Sequence, residues 1–386
     1  MINIVAWLRR ASSPIVVAAI LLGWAGSAEA QTKPRIKFIT AGGTIAHATN
    51  PDGSSRRIPI PEMVKSIRSR YPQPEVAAVL DSVEYDDLEV VRAGSSTLTL
   101  RDFLAICVET QRAISERYDA VIVTHGTTTS EDTAYFLNLL VGGTVPVVLV
   151  NSQIHHLTVG NDGDLNLLSA IMVALAKTST GKTVLVENQK IMAAREVLKG
   201  SELPGGFSAG VLGPLGWVRR PSPKYTAGTA DEFVTYYRTP TRKGRATSEF
   251  SISDLVDSNG NFKSLARIEV IAGHYDGRVD VIDAMVNLGA HGLVVTGLPP
   301  NGRAFGAQMA RLDALAKQGI PVLYTSRNAA QFQNRVNPSS DIRLEGDNLP
   351  WQKARILLQL AMQKTVDQRL TGAARLAEIQ RLFDTH

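Results

Sequence analysis

Two short segments place hydroxyl groups where chemistry is possible. Thr44 follows a glycine pair in "ITAGGTIA", and Thr127, Thr128 and Thr129 follow His-Gly in "VIVTHGTTTSEDTAYFL". Both segments begin as apolar, β-branched runs that suit buried strands. Gly42 and Gly43 permit a tight turn and close backbone approach, leaving N–H groups free to meet an anion. A hydroxyl beside such backbone has the parts of a nucleophile with an oxyanion hole. A local reading competes for Thr128. With Glu131 three residues on it forms a capping-box pattern, and acids in the first turn suit the helix dipole. The helix so started predicts an apolar face of Ala134, Leu137, Leu140 and Val141. This reading explains one threonine of three.

A hydroxyl nucleophile needs a base. Seven histidines are available: His47, His125, His155, His156, His274, His291 and His386. None has the spacing of a metal site, and no Gly-x-Ser-x-Gly elbow accompanies them. "AGGTIA" also lacks the glycine spacing and the Lys-Ser/Thr pair of a phosphate loop, so neither metal nor cofactor is expected. His47 and His125 lie near the threonines, in positions that suit structural roles. The less obvious base is Lys177, which ends the apolar helix "LNLLSAIMVALAK". Burial there would lower its pKa until it accepts a proton. The plain alternative is a helix-terminal lysine favoured by the dipole.

The elements that must position these groups follow from the pattern of the whole chain. From Lys33 to about Val218, "RIKFIT", "AVIVTHG", "VPVVLVN" and "TVLVEN" alternate with helical segments, which argues for a parallel sheet with helices on both faces. Residues 236–265 are polar, turn-rich and poorly periodic, and read as a linker, with "RKGR" at 242–245 a solvated connector. Strand patterns resume with "RIEVIAGHYDG", "HGLVVTG" and "IPVLYTS", and a last long helix begins near Pro350. The expected fold is α/β: a larger N-terminal parallel-sheet domain of flavodoxin-like kind over 31–235, and a smaller C-terminal α/β domain over 266–386. Thr44 and Thr127 then stand at the carboxyl ends of two strands, where open parallel sheets bind ligands.

Residues 1–30 read as a secretory signal: Arg9 and Arg10, the apolar run "PIVVAAILLGWAG", and the small-x-small pattern Ala28–Ala30. The arginine pair also fits twin-arginine export. The expectation is a soluble periplasmic or secreted protein with no membrane attachment after signal removal. That removal takes two arginines and one glutamate from 41 basic and 36 acidic residues, leaving a small positive excess without a long basic run. Nucleic-acid binding has no support in such a pattern. The single cysteine, Cys107, sits among apolar residues and reads as core, which excludes an internal disulfide.

The threonine segments, with "NLLSAIMVALAK" further on, resemble those of the bacterial-type L-asparaginase/glutaminase family. "GPLGWV" and "YYRTPTRK" resemble its domain-joining region and "LPWQKARILLQLAM" its final long helix, so the likeness runs in order through almost the whole chain after the signal. The resemblance implies an amidohydrolase in which Thr44 is the nucleophile, Thr127 the second threonine and Lys177 its lysine. Ser95 would bind the substrate's α-carboxylate with Ser96 beside it, and Gly43, Gly126 and Thr128 would complete the substrate-binding set. It further implies homotetramers built from close dimers, with "AGHYDG" (Ala272–Gly277) approaching a neighbour's pocket.

Two departures stand out. The family has an Asp directly after the second threonine, serving the substrate's α-amino group, where this chain has Thr128. It also has a loop tyrosine a dozen or so residues past the nucleophile, whereas no tyrosine occurs between Ile45 and Arg70 and Arg56 and Arg57 lie near that place. Ala41 also replaces a common threonine. The expected function is hydrolysis of asparagine or a related side-chain amide to acid and ammonia through an acyl-enzyme. Two alternatives are a family hydrolase acting on a non-amino-acid amide or ester, and an inactive homologue that binds a carboxylated ligand.

Overall fold

The β-branched runs form the strands expected of them. The structure is a computed structural model that describes residues 32–50, 52–221, 230–299, 302–327 and 343–386. β1 (Arg35–Ala41) leads through a hairpin, β2 (His47–Thr49) with β3 (Ser55–Arg57), into α1 (Ile60–Arg70) and α2 (Pro74–Asp81). Then come β4 (Glu84–Glu89), α3 (Leu100–Ser115), β5 (Ala120–His125), α4 (Ser130–Leu140), β6 (Val147–Val150), α5 (Gly163–Leu175) and β7 (Thr183–Glu187). β4, β1, β5, β6 and β7 lie side by side in that order, all parallel. Numbered along the chain this is the flavodoxin-like order, and it reverses between β1 and β5. The crevice beyond the carboxyl ends of those two strands is therefore where such a sheet accommodates a ligand.

Alternate residues of β1 serve two cores, as the period of a strand requires. Ile36 and Phe38 pack with α1, α2 and α5, while Ile39 and Ala41 pack with α3 and α4. Cys107 of α3 is fully buried there, and burial pushes its thiol well above the ordinary range. After β7 the chain turns on Asn188 and Gln189, both at positive φ, into antiparallel β8 (Lys190–Ala193). A separate pair follows, β9 (Leu198–Lys199) with β10 (Phe207–Ser208). β11 (Gly216–Val218) and β12 (Val234–Tyr236) then extend the large sheet to eight strands.

The second sheet is parallel and in sequence order: β13 (Ile268–Ala272), β14 (Gly292–Gly297), β15 (Val322–Ser326) and β16 (Leu344–Glu345), with α6 (Val279–Asn287) and α7 (Gly306–Lys317) between strands. Pro350 directly precedes α8 (Trp351–Asp367), and α9 (Gly372–Thr385) follows it. Leu357, Leu360 and Ala361 of α8 share the core of α3 and α4, so this helix joins the smaller sheet to the larger unit.

Residues 236–265 do not hang free. Phe250, Ile252 and Leu255 enter that same core. Arg245 is only 2% exposed and donates to the carbonyls of Gly142, Gly143 and Val145 beyond α4, which corrects the reading of 242–245 as a solvated connector. Burial lowers the Arg245 pKa to about 10. Arg242 and Lys243 are also engaged, with Asp347 and Glu249. The signal-peptide reading falls on residues 1–30, outside the described residues. Among the described residues no helix is long and apolar enough to cross a membrane.

Candidate active site

The turn after β1 and the turn after β5 meet at the carboxyl edge of the sheet. Gly43 has φ 86° and ψ 169°, backbone that essentially only glycine adopts. A side chain there would lie 2.2 Å from the Cα of Gly126, so the two glycines are what let the turns touch. Thr44, half-buried, opens the single helical turn Thr44–Ala46 directly after this contact. His47 Nδ1 donates to the Gly43 carbonyl at 2.6 Å and pins the turn from behind. His125 does the same for the second turn, with Nδ1 on the Gly126 carbonyl and Nε2 accepting from the Thr133 hydroxyl, both at 2.8 Å. Burial lowers the His125 pKa to about 4, so it remains neutral and structural.

Ser95, buried after β4, closes the third side. Its Oγ accepts the Thr128 amide at 3.3 Å, and its carbonyl accepts the Thr129 hydroxyl at 2.8 Å. A side chain on Gly126 would strike Ser95 Oγ at 2.3 Å. Thr44, Gly43, Gly126, Thr127 and Ser95 are thus brought together, and exposed Ser96 lies beside them.

The capping expectation does not hold. Thr129, not Thr128, occupies the N-cap of α4, and Thr128 is exposed. Glu131 does not reach back to the cap. Its Oε2 accepts the amide of Lys199 at 2.6 Å. Nor is the helix merely one-faced, because every residue from Ser130 to Leu140 except Asp132 is buried. Val141 lies just past its end.

The lysine expected beside Thr127 is also corrected. α5 stops at Leu175, and Lys177 follows on an exposed turn. In a parallel sheet, a helix leading into the next strand must end at the amino edge, which here is the edge opposite Thr44 and Thr127. The amine that meets Thr127 is that of Lys199, with Nζ 2.9 Å from Thr127 Oγ1. The Lys199 side chain is 13% exposed, and its ammonium also meets Glu202 at the rim. Lys199 lies on the chain that returns from β8 and packs against the first turn of α4. Its one legible signal was a lone lysine between Leu198 and the glycine-rich "GSELPGG". Arg56 and Arg57, near the place of the family's tyrosine, are held by Glu62 and by Asp87 with Glu89.

Strand-end hydroxyls, a lysine hydrogen-bonded to one of them, and glycine backbone at the same crevice form a set suited to acyl transfer. Comparison with known proteins places the chain in a family. Residues 35–229 match the family model for the N-terminal domain of asparaginase, and residues 267–373 that for the glutaminase/asparaginase C-terminal domain. The chain is 30% identical to L-asparaginase 2 of Bacillus subtilis, over 89% of this chain and 86% of that one. It is 29% identical to a protein of Haemophilus influenzae named "Probable L-asparaginase periplasmic", over 89% and 93%. A solved structure described as a probable cytoplasmic L-asparaginase from Campylobacter jejuni superposes with a TM-score of 0.75 at 27% identity, covering 92% of this chain and all of that one. The chain belongs to the asparaginase/glutaminase family and is an amidohydrolase of the L-asparaginase type.

Proposed function

We propose that the protein hydrolyses the side-chain amide of a small carboxylate-bearing substrate through Thr44. The observation that carries the reading is the Lys199–Thr127 contact at the crevice that also receives Thr44. The Thr44 hydroxyl proton passes by way of Thr127 to the Lys199 amine as Thr44 Oγ attacks the amide carbon. Backbone amides of the two glycine turns stabilise the oxyanion, ammonia leaves after protonation, and water resolves the acyl-enzyme. Ser95, against Gly126, and exposed Ser96 beside it are the groups to receive the substrate's carboxylate in this reading.

Substrate choice turns on Thr128. It is exposed at the end of β5, and its hydroxyl makes no hydrogen bond among the described residues. A hydroxyl cannot neutralise a desolvated ammonium. This favours a substrate without the α-amino group, such as a succinamic acid, over asparagine. Ammonia release from asparagine, glutamine, succinamic acid and a simple ester tests both readings. Thr128→Asp is expected to move the ratio of kcat/KM toward asparagine, and an unchanged ratio refutes the role given to Thr128.

Export and assembly belong to the same proposal. The charged-then-apolar leader and the periplasmic description of the Haemophilus relative support export. The family resemblance supports a tetramer in which Ala272–Gly277 faces another subunit. Cell fractionation and light scattering test the two.

A further inference from the structure

Resting on the reading of Lys199 as the proton acceptor, we infer that Lys353 and Glu131 are positioning residues that clamp the segment carrying it. The segment runs from Ala194, whose amide still donates to the Thr183 carbonyl of β7, through a turn into β9, where Leu198 and Lys199 pair only with the two residues of β10. Side chains from two distant helices add to this short pairing. Lys353, on α8, is fully buried, and its ammonium donates to the carbonyls of Ala194 at 2.8 Å and Val197 at 2.5 Å. Glu131, on α4, takes the Lys199 amide at the other end. A fully buried ammonium spent on two main-chain carbonyls is an expensive choice, because desolvating a charge opposes folding. Two carbonyls of an ordinary loop would need no charged donor.

The charges around the clamp agree with this assignment. Glu131 and Asp132 of α4 and Glu196 of the segment favour the charged form of Lys353, and Arg195 opposes it. The Tyr135 ring lies 6.0 Å away. Burial lowers Lys353 to about 8 and raises Glu131 above the usual carboxylate range, so the pair offsets part of each other's desolvation. The clamp joins three elements distant in sequence: α4, the segment, and the helix that follows the smaller sheet. Through Lys353, α8 sets the position of Lys199 without touching substrate.

Positioning and simple structural support are separable by experiment. Lys353→Met keeps the apolar stem and removes the donor. In the folded variant kcat for ammonia release is expected to fall about tenfold or more, with KM changed less than about threefold, since misplacing a catalytic group costs turnover rather than binding. Hydrogen–deuterium exchange in the peptide spanning 194–199 should rise about tenfold while peptides of β1 and β5 stay at wild-type rates. Lys353→Gln, which retains N–H donors at shorter reach, should recover part of both. Unchanged kcat or unchanged exchange in folded Lys353→Met, beside an inactive Lys199→Met, overturns the inference. Should Lys353→Met not fold, Glu131→Ala is read in the same way, and wild-type kcat or exchange in it overturns the clamp. Full turnover in Lys199→Met is a separate result that overturns the assignment of the base.

Discussion

Replacing Lys199 and Lys177 in turn by methionine sets the geometry against the order of the sequence. Methionine keeps most of the apolar stem, so only the amine is lost. At Lys199 the loss removes the group 2.9 Å from Thr127 Oγ1. General-base removal costs about 10²–10⁴ in rate, or roughly 3–5 kcal/mol of transition-state stabilisation. Thr127 is 8% exposed, so its hydroxyl loses a buried partner, at about 1–3 kcal/mol of stability. The accompanying ion pair with Glu202 adds little, because that carboxylate is 87% exposed. At Lys177 the same substitution meets solvent, and stability should change by no more than about 0.5 kcal/mol with turnover essentially intact. The assay is continuous ammonia release, resolved into kcat and KM, with thermal melts to confirm that each variant is folded. Near-normal kcat in Lys199→Met, or a collapse in Lys177→Met, refutes the placement of the base.

Thr44→Ala should abolish ammonia release while leaving the melting temperature within a few degrees of wild type; turnover in a folded variant removes Thr44 from the mechanism. Gly43→Ala adds a Cβ at φ 86° and 2.2 Å from Gly126, so it should both destabilise the fold and inactivate it, and a wild-type melt would contradict the turn geometry. Asp132 is pushed up to about 7 by burial and by Glu131, so the folded chain holds an extra proton between about pH 4 and 7 and loses that advantage as pH rises. Asp132→Asn should therefore gain more in melting temperature over wild type at pH 8 than at pH 5, and an equal gain at both would refute the shift.

What was legible in the sequence divides along a physical line. Strands β1, β5, β6 and β7 were legible because a strand buried on both faces needs an unbroken apolar, β-branched run, and glycine or asparagine marks its end. Thr44 and Thr127 were legible for the same reason: a parallel sheet presents the residues just past its strands, and local sequence sets where a strand stops. The cap of α4 moved by one residue because Ser95, more than thirty residues away, claims the Thr128 amide and the Thr129 hydroxyl. No capping rule contains that competitor.

The lysine separates a mistake from a limit. Lys177 could have been rejected from the pattern alone. Once β6 and β7 are parallel, the helix between them must run back across the sheet, and its last residues arrive at the edge away from Thr127. Lys199 could not have been chosen that way. Its segment is too short to show a strand or helix period, ending in the two-residue β9, and it is tied down further by a carboxylate on α4 and an ammonium on α8. The repeating β-α units supply the hydroxyls by local rules, whereas the amine comes from outside those units and depends on contacts from the far end of the chain. It follows that substitutions in α8 can reach the chemistry without touching the crevice.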